Sequence, residues 1–139
     1  MQYRVNTGGT RSLTMKASAD GTNYGAGYTQ TFVYDTPAKL TVGSTAQGSL
    51  LEPYTYTYFS FCPSASGNFT FYSTGNVKLQ ATLYDDDYNI ISYDGCYMHG
   101  SSAYNFELTE GLSRSKNYFL EVELFGADAE GGTFRVGVR

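Results

Sequence analysis

The chain has 139 residues, 41% of them hydrophobic, and a formal net charge of −4. A chain of this length buries about two thirds of its unfolded surface, enough for one domain with a substantial core, alone or with a small appendage. The acidic balance and the scatter of Lys78, Arg114, Lys116 and Arg135 exclude nucleic acid, which needs a dense basic patch, and charges break every apolar window, arguing against membrane insertion.

The chain opens on Met1-Gln2-Tyr3-Arg4-Val5, which does not lead into the apolar core of a signal peptide. Fourteen Tyr, sixteen Gly and only nine basic residues suit a piece of a longer exported protein. Residues 1–47 read as a β-rich N-terminal extension or partial repeat. In it, residues 2–5 and 29–34 are expected to pair as strands, with a turn-rich loop at 19–27 between them. Residues 41–49, all small or polar apart from Val42, have the composition of a linker.

From residue 48 to 139 short alternating runs follow one another: Phe59-Ser60-Phe61, Phe69-Thr70-Phe71, residues 77–83, Phe106-Glu107-Leu108, residues 118–122 and residues 134–138. Side chains two apart on a strand share a face, so each run has a buried and a wet side. Polar and glycine turns separate the runs, among them Thr74-Gly75-Asn76, Asp85-Asp86-Asp87 and Asp94-Gly95. The pattern predicts an all-β, antiparallel, jelly-roll-like β-sandwich with no useful helix.

By the same parity, Tyr54, Tyr56, Tyr58, Tyr72 and Tyr84 point outward while Phe59, Phe61, Phe69, Phe71, Leu79 and Leu83 point in. Tyrosine offers an apolar ring and a hydroxyl at low rotamer cost, so these five are the candidate ligand-binding residues, set against an alternative role covering sheet edges. Asp85, Asp86, Asp87 and Asp94 gather the hard oxygens that calcium uses, and are the candidate metal ligands. Their spacing is not that of an EF-hand, and an Asp-rich turn capping its own amides is the competing reading. Cys62 and Cys96 leave both a disulfide and two free thiols open. The single histidine, His99, sits in a loop sequence with no nucleophile elbow, so no catalytic residue is assigned; an enzyme would need a cleft joining distant carboxylates such as Asp94 and Glu121.

The order of motifs from about residue 50 resembles the bacterial pre-peptidase C-terminal domain family. Phe59-Ser60-Phe61 is followed by Gly67-Asn68-Phe69-Thr70-Phe71 with Thr74-Gly75, then Leu83-Tyr84-Asp85 and Asp94-Gly95. Phe106 to Gly111, Tyr118 to Val122 and Gly132 to Val138 complete the order. The gap between Gly111 and Tyr118 is longer than that family's usual turn, and Asn76-Val77 stands where the family often has an Asp. The N-terminal zone faintly resembles a bacterial cell-surface repeat, through residues 6–10 and 32–40. The resemblance implies a non-catalytic accessory or binding module, secreted or on a bacterial surface. Its partners are expected to be extracellular protein, polysaccharide or neighbouring domains, and calcium is the one cofactor to test. Members attached to clostridial collagenases bind collagen through sheet-surface tyrosines; this chain shares their tyrosine abundance and no specific motif. A structural role, as in a phage decoration or fibre component, is the alternative.

Overall fold

In a computed structural model, the alternation in the sequence becomes burial that switches residue by residue. The structure describes residues 9–15, 18, 25, 27–34, 36–95, 104–126 and 129–139. The chain divides into two compact units, Met1–Pro37 and Ala38–Arg139.

In the first unit, β1 (Gly9–Met15) pairs antiparallel with β2 (Tyr28–Tyr34), from Gly9 opposite Tyr34 to Met15 opposite Tyr28. The expected partner of this second strand, residues 2–5, lies outside the described residues; among the described ones the Thr- and Leu-bearing run at 9–15 pairs with it.

The second unit carries β3 (Ala38–Lys39), β4 (Thr45–Leu50), β5 (Tyr56–Phe61), β6 (Gly67–Thr74), β7 (Leu79–Tyr84), β8 (Ile90–Gly95), β9 (Glu107–Leu112), β10 (Tyr118–Leu124) and β11 (Gly132–Val138). They form two sheets, ordered β3-β5-β10-β7-β8 and β4-β11-β6-β9. Every pairing is antiparallel except the short contact of β3 with β5. From β4 to β11 only β7 and β8 are joined as a hairpin; every other connection crosses to the opposite sheet. All described elements are strands, as the sequence pattern predicts.

Residues 41–49 do not link two domains, because β4 is an edge strand of the sandwich and Gly48 is buried. Its small residues answer a packing need. A Cβ on Gly48 would stand 2.5 Å from the Phe134 ring and 3.2 Å from Phe59, so only glycine lets the strand lie over those rings. A linker and an edge strand packed on a large aromatic therefore look alike in composition.

Between the sheets lie Leu50, Phe59, Phe61, Phe71, Leu79, Leu83, Leu120, Val122, Leu124, Phe134, Val136 and Val138. Phe61 on β5 meets Phe69 and Phe71 on β6 edge-on, at centroid distances of 5.1 and 5.4 Å, which locks one sheet to the other. Polar groups in this interior are paired: Asp94 Oδ2 accepts the Glu107 amide at 2.7 Å, and Ser73 Oγ accepts that of Phe106 at 3.1 Å.

Candidate functional site

The five expected tyrosines do not share one surface. Tyr56, Tyr58 and Tyr84 lie on the outer face of the five-stranded sheet, by strand parity and by register. Tyr72 belongs to the other sheet, opposite Gly137 on β11. Its ring covers that glycine so closely that a Cβ there would meet Tyr72 Cζ at 2.5 Å, and Arg139 caps the ring 5.0 Å from its centroid. Arg139 also forms an ion pair with Glu107 at 2.8 Å. Tyr72 is thus folded down as cover for a bare strand. Tyr54 precedes β5 in a turn, 60% exposed, with φ of 60°.

Register places the outer-face side chains of the five-stranded sheet in rows across the strands. Ser60, Phe119, Tyr84 and Ile90 make one row; Tyr58, Glu121, Thr82 and Tyr93 the next; Tyr56, Glu123, Gln80 and Gly95 the third. Tyr56, Ile90 and Tyr93 are 52, 63 and 60% exposed. Three strand spacings and two residues along the strand set Tyr56 and Tyr93 about 16 Å apart.

Tyr84 has the expected outward parity but is buried, at 6% exposure, as is Phe119 beside it at 7%. The turn after β7 folds back, and the Tyr88 ring stacks on Phe119 at 5.6 Å and 20°. Tyr88 holds φ of 61° to do so. A bulky residue in the left-handed region costs roughly 1–2 kcal/mol, and Tyr54 and Tyr88 both carry that strain beside this face.

Two carboxylates sit among these rings. Glu121 is held by the hydroxyls of Tyr58 and Tyr84, the latter donating to Oε1 at 3.2 Å. Glu123 accepts from the Gln80 side-chain amide. Both are half-buried, and neither has a cationic partner among the described residues. Glu123 did not emerge from the sequence as a site residue, although its parity with Glu121 and Phe119 marks it as outward. Ile90 and Tyr93 were missed for a different reason. The register slips between Leu83 and Tyr84, where Ile91 is the extra residue on β8, so alternation fails locally and both flanking side chains emerge on the same face.

The four aspartates do not all come together. Asp85 accepts the amides of Asp87 and Asn89 at 3.0 and 2.8 Å and the Asn89 side chain at 2.9 Å. The Asn89 side-chain bond foremost, then its amide, holds the Asp85 carboxyl below its usual range. Asp86 and Asp87 are exposed in the same turn. Asp94 stands opposite Ala81, about 13 Å down the hairpin and facing inward, so the fold does not bring it to that turn. No group of three or more metal-ligating side chains forms among the described residues. Asp94 and Glu121 occupy opposite faces of one sheet and line no shared cleft. Cys62 is an exposed free thiol just past β5. Cys96 and His99 lie outside the described residues.

Among solved structures the fold is similar to the pre-peptidase C-terminal domain of a collagenase from Bacillus anthracis, with a TM-score of 0.58 and 15% identity over 74% of this chain and 94% of that one. It is also similar to PliG from Aeromonas hydrophila, a periplasmic inhibitor of g-type lysozyme, with a TM-score of 0.53 and 13% identity over 75% of this chain and 96% of that one. No family model and no curated protein matches the sequence. The likeness is one of fold, and it is the fold that the motif order from residue 50 implied.

Proposed function

We propose that the sandwich is a non-catalytic binding module of a secreted or surface-attached bacterial protein, and that it contacts extracellular polymer through the outer face of the five-stranded sheet. One observation carries this reading. Tyr56, Ile90 and Tyr93 stand more than half exposed on that face, while the tyrosine of the opposite sheet is folded onto Gly137. Within the described strands of the sandwich the mostly exposed large apolar side chains all lie on this face, whereas Val42 and Leu51, 54 and 78% exposed, lie outside the strands at the two ends of β4. Such a cluster on a sheet face is what a contact surface requires. Of the three described non-glycine residues with positive φ, Tyr54 and Tyr88 adjoin strands of this sheet and Ser115 lies in the turn before β10; strain of this kind is compatible with function at the first two. An extracytoplasmic setting is supported by the two similar structures, one a domain of a collagenase and the other a periplasmic protein.

The test is an array of glycans and matrix proteins, probed with the wild type and with a Tyr54→Ala, Tyr56→Ala, Tyr93→Ala triple variant. All three residues are exposed, so the variant is expected to fold. Loss of binding in the variant supports the reading, and equal binding by both proteins rejects it.

A further inference from the structure

The geometry points to an extended, arginine- or lysine-bearing polypeptide segment as the occupant of this face. The inference rests on the reading above and adds the chemistry of the partner. Glu121 and Glu123 lie at the centre of the face, on the middle strand β10. Both are satisfied only by neutral donors: two tyrosine hydroxyls for Glu121 and the Gln80 amide for Glu123. Their negative charge is therefore held in place without an ion-pair partner among the described residues, and the three rows described above contain no cation. Basic residues stand at the margins of the face: Lys39 beside Ser60 on the edge strand β3, exposed Lys78 one step beyond Gln80, and Lys116, whose charge reaches Asp85 in the turn after β7. The ion pair of Arg139 with Glu107 belongs to the opposite sheet.

Aromatic rings add to this field. A ring presents a negative face to a cation, and the guanidinium group both stacks on tyrosine and matches a carboxylate with its planar fork. Tyr56 and Tyr58 on β5 and Tyr93 on β8 flank the carboxylate column from two sides. Spacing favours a polypeptide. Two residues apart on a strand, the carboxylates stand about 7 Å from one another, which is also the separation of alternate side chains on an extended peptide. A segment of about five extended residues reaches across the roughly 16 Å between Tyr56 and Tyr93. Anionic polymers are repelled by the same arrangement.

The experiment is calorimetric titration of the full chain with a peptide alternating arginine and serine, a chitosan oligomer, a neutral β-glucan oligomer and heparin. It is run with the wild type, Glu123→Gln, Tyr93→Ala and, on the opposite sheet, Glu107→Gln. The arginine peptide is expected to bind in preference to the other three. Glu123→Gln, or a rise from 50 to 500 mM salt, should weaken it about tenfold, since a half-buried charge pair is partly screened. Tyr93→Ala should weaken it as well, and Glu107→Gln should not. Unchanged binding by Glu123→Gln overturns the inference. So does preference for the β-glucan, heparin or chitosan; where Tyr93→Ala abolishes that binding, the face remains a contact surface with a different partner. Peptide binding insensitive to Tyr93→Ala, or no binding to any probe, removes the contact surface itself. Unfolding curves of all variants identify any loss of fold.

Discussion

Tyr72 offers the sharpest division between a binding tyrosine and a structural one, through the glycine beneath it. In Gly137→Ala the new methyl would lie 2.5 Å from Tyr72 Cζ, 2.6 Å from its hydroxyl oxygen and 2.8 Å from Cε1. The ring must lift off the strand, losing its contact with β11 and the Arg139 guanidinium 5.0 Å from its centroid. An exposed cation–π contact is worth about 0.5–1 kcal/mol. Re-exposing about 40 Å² of ring and strand costs about 1 kcal/mol more. Replacing glycine returns about 0.5 kcal/mol by restricting the unfolded chain, so the net loss is about 1–1.5 kcal/mol. For a domain of this size that lowers the melting temperature by about 4 °C. In a Tyr72→Ala background the space is already empty, and the same glycine substitution should be neutral or stabilising by about 0.5 kcal/mol. Urea unfolding of the four proteins measures this coupling. If Gly137→Ala costs as much without the Tyr72 ring as with it, the ring is not what that glycine accommodates, and the packing argument fails.

Gly48→Ala sets a methyl 2.5 Å from the Phe134 ring in the core, where nothing can swing into solvent, and should cost about 2–3 kcal/mol by urea unfolding. Asp85→Ala removes the acceptor that shapes the 85–89 turn, so Tyr88 should leave Phe119, raising dye binding at neutral pH. Because the folded carboxyl titrates below its unfolded value, that stabilisation is present above the unfolded value and is lost as pH falls through the folded one; the wild type and Asp85→Ala should therefore converge in acid. Thermal melts in millimolar calcium and in chelator should coincide if the Asp85 oxygens are committed to the amides of their own turn, and a marked rise with calcium would revive a metal role there. Cys62 should be alkylated in the native protein without reductant, and protection of that thiol would contradict its exposure.

Much of the sandwich could be read from period alone. Phe59, Phe61, Phe71, Leu79, Leu83, Phe134 and Val136 all point inward as their spacing requires, because a strand has no other way to place residues two apart. Period says nothing about which sheet a strand joins. Tyr72 and Tyr56 look equivalent in sequence, and only the pairing of β6 with β11, and of β5 with β10, sends them to opposite sides of the molecule. The edge strand at 45–50 was hidden by its small residues, which exist to admit a ring from 86 positions later, counting from Gly48 to Phe134.

Local alternation by itself therefore determined the all-β class, the inward set of large side chains and the outward parity of the tyrosines. Tertiary structure alone decided which of those tyrosines face water: a turn closing over Phe119 hides Tyr84, a glycine on a neighbouring strand receives Tyr72, and a register slip exposes Ile90 and Tyr93. The physical reason is that parity is a property of one strand, whereas exposure depends on what the rest of the chain lays across it.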